Sequence, residues 1–295
     1  MSIANNNHPT YVISATEKCV IVESDFYVPF EPNILKRNLS QRVLQLRQDI
    51  RNSVLKLKIE EGEILFAFYS ENDKSRFYDV ENVLFYNIGG TIFKKISPEQ
   101  LAFLGDKKDF LNDDSVPLNM ANRCFYAYKV VSMQSVERLI ESKKVLAYWN
   151  DIDIDKTIAK SPARYYAAIR ENSDKIEINE MLDGKTLFGI KIEITIPYFS
   201  HPAAIMKPLL DGIICAFHGE KGDVERILND MFMTRTERML SDTDKLNIFG
   251  NREYLKRYRG HNSFKWNPED ERLQFAWITV RRGRLSLMKG SIYEW

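Results

Sequence analysis

Two passages of the chain share one order of segments, and that order limits the folds open to it. "ILFAFYSENDKSRFYDVENVLFYNIGG" begins at Ile64, and "IEITIPYFSHPAAIMKPLLDGIICAFHGE" begins at Ile192. Each opens on a run rich in β-branched and aromatic residues, the composition of a strand. A polar or Pro-bearing loop follows, then an apolar segment of helical length that ends at Gly89 or Gly219. Glycine is the usual residue just past a helix, because it enters the left-handed region without steric cost. The chain reads either as one strand–helix–strand unit used twice or as two ordinary strand–helix units in one mixed sheet. The expected fold is α+β: two diverged strand–helix–strand halves forming mixed sheets, with helices packed on one face.

Other segments fill in this frame. Residues 18–30, 63–70 and 124–131 read as strands in the first half, and 164–170, 189–199 and 273–282 in the second. From Leu35 to Lys58, Leu39, Val43, Leu46, Ile50 and Val54 recur at helical spacing, with Arg42, Arg47, Arg51 and Lys56 largely outside that stripe. Two further helices are predicted over 135–146 and 224–239. The organisation expected is an N-terminal half over 1–132, a helical and acidic connector over 133–160, and a C-terminal half over 161–295 with a basic end.

Composition narrows the function classes. With 44% hydrophobic and 28% charged residues in 295, the chain has the make-up of a folded protein. A net charge of +1 gives no general attraction to nucleic acid or membrane, so binding to either must rest on local patches. No apolar stretch approaches the length of a membrane span and no leading apolar run reads as a signal peptide, so no membrane association is expected. Cys19, Cys124 and Cys215 lie far apart in apolar segments and read as reduced thiols, which fits a cytoplasmic location.

The stretch "FYDVENVLF" raises a chemical question, because Asp79, Glu81 and Asn82 stand directly before an apolar run. One answer is a helix cap: Asp79 accepts from the first backbone N–H groups, and Glu81 suits the positive end of the helix dipole. The other is a cation site, since Mg²⁺ takes one or two carboxylates and fills its shell with water and phosphate. In nucleases such an ion lowers the pKa of the attacking water and screens the phosphate. A working site needs another acid, and "LNDDSV" supplies Asp113 and Asp114.

"YDVENVLFYNIG" with "NDDSV" downstream resembles the RusA-like Holliday junction resolvases, whose signature is Pro-Asp-x-Asp-Asn-Leu-x-Lys followed by an Asp-Asp-Ser segment. The resemblance places Asp79 and Glu81 on the two acids, Asn82 on the amide, and Asp113, Asp114 and Ser115 on the later segment. In "KPLLDGIICAFHG", Lys207 and Pro208 match the opening and Asp211 the second acid, while Leu209 and Gly212 replace the first acid and the amide. Phe85 stands where the family has its lysine. What the resemblance implies is a metal-dependent endonuclease acting on branched DNA, with Asp79, Glu81, Asp113 and Asp114 in the catalytic site. Asp79, Glu81 and Asp113 would then hold Mg²⁺ or Mn²⁺.

The strongest charge asymmetry is from Asn251 onward, where ten basic residues face five acids. Arg252, Lys256, Arg257, Arg259, Lys265, Arg281, Arg282 and Arg284 are candidate phosphate contacts, interleaved at first with Tyr254, Tyr258, Phe264 and Trp266. The same residues also fit a solvated basic face over an aromatic core. "WNDIDIDK" places Asp151, Asp153 and Asp155 at alternate positions but lacks the glycine and terminal glutamate of a calcium loop, and reads as a solvated connector. No phosphate-binding loop is present, and Cys215 with His218 lies in an apolar helix that favours an inert thiol. Two classes of function remain: a DNA-binding protein, with or without metal-dependent cleavage, or a non-catalytic scaffold subunit that docks a protein partner or a second copy of itself.

Overall fold

The computed structural model describes residues 11–26, 28, 41–71, 80–86, 88–105, 124–154, 162–198, 201–219, 246–250, 253–257 and 264–295. The chain divides into two compact units, one formed by 1–98 and 102–133, the other by 99–101 and 134–295. Both are α+β. No helix among the described residues is long and apolar enough to cross a membrane.

The first unit contains β1 (Tyr11–Ala15), β2 (Cys19–Ser24), α1 (Gln41–Val54), β3 (Ile64–Glu71), a π-helical turn (Asn82–Tyr86), α2 (Gly90–Ile96), β4 (Gln100–Gly105) and β5 (Cys124–Val131). Its strands lie in the order β1-β2-β5-β3-β4, with β1–β2, β2–β5 and β3–β5 antiparallel. All eight residues of β3 are buried, as expected for a strand covered on both faces. α1 buries Val43, Leu46, Ile50 and Val54 of the predicted stripe, whose Leu39 lies outside the described residues, and it also buries Arg47, which was expected outside the stripe. Tyr126 and Tyr128 carry their hydroxyls into the core but keep partners there: Val28 N–H donates to the Tyr126 hydroxyl at 2.8 Å, and Tyr128 donates to the Leu84 carbonyl at 2.9 Å. Such pairing keeps buried polar groups from becoming a penalty. Gly89, at φ 86°, ends the π-helical turn and also precedes α2, so it joins two short helices instead of closing one long one.

The second unit holds α3 (Met133–Ile140), β6 (Val145–Asp153), α4 (Pro162–Glu171), β7 (Ile176–Ile178), β8 (Phe188–Ile196), α5 (Met206–Ala216), β9 (Leu255–Arg257), β10 (Phe264–Trp266), β11 (Leu273–Arg282) and β12 (Leu287–Glu294). Its strands run β11-β8-β12-β6-β7; β11 and β8 are parallel and the other neighbours antiparallel, so the sheet is mixed. Residues 99–101, at the start of β4, belong here: Val280 N–H donates to the Glu99 carbonyl, and the Gln100 side-chain oxygen accepts from Trp277 and Thr279. β9 and β10 form a separate hairpin.

Several expectations are corrected. Residues 164–170 form part of helix α4, not a strand. Pro162 opens it, and seven residues from Ala163 to Arg170 are buried, so the segment has no polar face to reveal a helical period. The stretch expected as a connector supplies α3 and β6, and the helix predicted over 135–146 stops at Ile140 because 145–153 is already a strand between β12 and β7. Asp151 and Asp153 are exposed at the end of that strand. The α5 helix ends at Ala216, and Gly219 instead forms a bridge, donating to the Gly250 carbonyl at 2.7 Å. The helix predicted over 224–239 and residue Asp155 lie outside the described residues. The repeat read from the sequence is not carried by strand pairing: β3 is antiparallel to β5, whereas β8 is parallel to β11.

Candidate binding groove on the C-terminal sheet

β8 alternates strictly: Ile190, Ile192, Ile194 and Ile196 are buried, while Lys191, Glu193 and Thr195 between them are only half-buried. A period of two places the second set on one face of the sheet. Register extends that face across five strands. Trp277 of β11 faces Lys191, Lys191 faces Ser291 of β12, Ser291 faces Tyr148 of β6, and Tyr148 faces Glu177 of β7. In the next row Thr279 faces Glu193, which faces Lys289.

These rows line a groove of about 500 Å³ bordered by Tyr148, Asn150, Asn179, Lys191, Lys289 and Tyr293, among others. Its shape has local causes. Two residues of β6 oppose one of β12 between Trp149 and Ile152, and Asp151 adopts φ 49° there, the geometry of a β-bulge. One end of the face is closed by the last residue: Trp295 stacks on Phe275 with ring centroids 4.8 Å apart, and its backbone N–H donates to the Leu187 carbonyl. A side chain at Gly189 would meet the Trp295 ring at 2.8 Å, so glycine is what allows that closure. On the opposite face, Trp149 packs against Phe217, and a Cβ on Gly290 would lie 2.4 Å from the Trp149 ring.

Two lysines, Lys191 and Lys289, and one acid, Glu193, line the groove. Glu193 is shared by Lys289 at 3.1 Å and Arg281 at 3.4 Å. Tyr148 donates to the Glu177 carboxylate, which with burial raises the phenol's pKa. Lys191 makes no hydrogen bond or ion pair among the described residues; its amine lies over the Trp277 ring, 4.1 Å from the centroid. Burial lowers its pKa below the ordinary 10.5, and Lys289 adds to this, against Glu137 and Glu193, which raise it. The folded chain therefore binds fewer protons at Lys191 than the unfolded chain, and the contribution of this group becomes more favourable as pH rises towards 10.5. Lys191→Gln is expected to remove that increment, so that urea unfolding gives a flatter stability–pH curve on the acid side of 10.5 than in the parent. Parallel curves would mean the amine is not shifted.

The residues predicted from the sequence fall as follows. Arg281 lies on the groove face of β11, Arg282 is exposed at the end of the same strand, and Arg284 is exposed in the β11–β12 turn. Lys256 and Lys265 are exposed and directly opposite in the β9–β10 hairpin. Arg257 is in β9, and its side chain, like Arg252 and Arg259, lies outside what is described. Glu81 is fully buried in the N-terminal unit, in the turn before Asn82. Asp79, Asp113 and Asp114 lie outside the described residues.

Two carboxylates that the sequence did not pair do meet. Asp211 of α5 and Asp270, in a 3₁₀ turn before β11, have oxygens within 4.8 Å of each other and could hold a metal ion. Lys207, one helical turn before Asp211, already bridges them, at 3.1 Å to Asp211 and 2.5 Å to Asp270. Any cation would have to displace that ammonium. Lys191, Glu193, Tyr148 and Ser291 were not singled out from the sequence, although the Lys-Ile-Glu-Ile-Thr alternation in β8 carried the signal for the first two.

No family model matches the chain, and no curated protein or solved structure matches it either.

Proposed function

We propose that the C-terminal unit binds single-stranded nucleic acid along the groove between Lys191 and Tyr148. The observation that carries this reading is the placement of Lys191 in one cross-strand row with Tyr148 and of Lys289 in the next, over a groove of about 500 Å³, with Arg281 paired to the lining acid Glu193. Phosphates need cations, and bases need an aromatic surface on which to stack without regard to sequence. Lys289 and Arg281 are the phosphate contacts, and Tyr148 is the stacking platform.

Fluorescence anisotropy with a labelled oligothymidine and a matching RNA tests this, across a range of salt. Two phosphate contacts on a single strand correspond to a slope of log K against log salt of about −1.4. Arg281→Ala/Lys289→Ala is expected to weaken binding at least about tenfold at low salt and to bring the slope closer to zero by about 1.4. Tyr148→Leu should cost about 1 kcal/mol with the slope unchanged. Absence of salt-dependent binding, or an unaltered double variant, would overturn the reading. The same samples with Mg²⁺ or Mn²⁺ and branched, duplex or single-stranded DNA report on the nuclease activity that the RusA-like resemblance implies.

A further inference from the structure

Lys191 differs from the other cations of this sheet face. Lys289 and Arg281 are ion-paired to Glu193, whereas the Lys191 amine has no carboxylate within ion-pair distance among the described residues. Its carbon stem is fixed in the middle of β8, with partners in register on both sides, and its nitrogen lies over the Trp277 ring. The charged groups around it are Glu193 on its own strand, Glu137 of α3, and Lys289 of β12, with Arg281 of β11 beyond Glu193. Burial, with Lys289, lowers the pKa of this amine below that of an ordinary lysine, against Glu137 and Glu193. An unprotonated amine held in a pocket is a nucleophile.

We propose that Lys191 captures aldehydes that carry an anionic group, forming an imine in this groove. The nitrogen lone pair bonds to the carbonyl carbon while the carbonyl π pair moves to oxygen, which takes up a proton lost from nitrogen. Loss of the resulting hydroxyl with the second N–H proton releases water and leaves the C=N bond. The step is redox-neutral and reversible, and needs no other reactant. Lys289 supplies positive charge for the anionic group of the guest, and Tyr148 and Tyr293 line a volume within the range of small-molecule sites. The inference uses the same groove as the nucleic-acid reading but does not depend on it.

Pyridoxal 5′-phosphate is a suitable probe, mixed in equimolar amount with the full chain near neutral pH and fixed by borohydride. Intact mass and peptide mapping are expected to show one adduct, on Lys191. Lys191→Arg, which keeps the charge, should lose the adduct. Lys289→Ala should lower capture about tenfold, the effect of losing one charge-assisted contact, with the residual adduct still on Lys191. Propanal, which lacks an anion, should be captured more weakly than the phosphate-bearing probe. Label spread over exposed lysines such as Lys256 and Lys265, or an unchanged yield in Lys191→Arg and Lys191→Gln, would overturn the proposal. Capture without oligonucleotide binding would reject the nucleic-acid reading and leave this one standing; the reverse result would do the opposite.

Discussion

Gly212→Ala is expected to destabilise the protein by about 2 kcal/mol, and Gly212→Val by more, although alanine is the better helix former. Gly212 lies in α5 where that helix meets α4: an added Cβ would stand 2.3 Å from the Pro162 carbonyl oxygen and 2.8 Å from the Tyr165 Cβ. Neither neighbour is the free end of a flexible side chain, so the helices would have to separate. The interface they would open is closely filled, with Leu209, Leu210, Ile213, Tyr165, Tyr166 and Ile169 all buried. Arg170 adds to the constraint, since its guanidinium donates to the Ala216 carbonyl at 3.2 Å at the end of α5. Overpacking a tight core costs roughly 1–3 kcal/mol, occasionally more, against about 1 kcal/mol gained in helix propensity. Gly184→Ala is the control: nothing lies within 4 Å of its added Cβ, and its change should stay within about 0.5 kcal/mol. Urea unfolding of the three proteins decides the matter. A Gly212→Ala variant as stable as Gly184→Ala would mean that α4 and α5 do not meet as closely as described.

The same glycine shows why part of this fold was legible in the sequence and part was not. Read against a motif, Gly212 stood where an amide was expected; its role in packing depends on α4, a segment that the sequence suggested was a strand. "RYYAAIR" has two adjacent tyrosines and no polar stripe, and for a short apolar run buried all round, periodicity cannot separate helix from strand. β3, β5 and β11 were recognisable because their aromatic and β-branched runs are long. The groove shows the same division. Arg281 was singled out as part of a basic run, and the alternation in β8 was present in the letters. What brings Tyr148 and Ser291 beside Lys191 is the register of β12 between β6 and β8, set in part by the bulge at Asp151. That pairing joins residues far apart in the chain, and no local pattern encodes it. The acids tell the same story: Lys207 and Asp211 are a helical i,i+4 pair, but only the folded chain brings Asp270 to them.

Removing that shared lysine should have the larger effect. Lys207, Asp211 and Asp270 have side chains only 22%, 12% and 19% exposed. With Lys207→Met, two mostly buried carboxylates face each other with oxygens within 4.8 Å and no ammonium between them. At an effective dielectric of about 20 their repulsion is about 3 kcal/mol, near the roughly 3–5 kcal/mol cost of removing one partner from a buried ion pair. The expected loss is therefore about 3 kcal/mol by urea unfolding. Asp270→Asn in the Lys207→Met background should recover part of it, since one of the two charges is gone, and the double-mutant cycle measures that coupling directly. Additive losses would show that the three groups do not act as a unit. The cycle also tests whether the acids can hold a divalent cation once the ammonium is absent. Mg²⁺ or Mn²⁺ that binds only the folded state should raise the stability of Lys207→Met with increasing concentration and leave Lys207→Met/Asp270→Asn unmoved. If neither protein responds to the ions, the pair serves only as the counter-charge to Lys207.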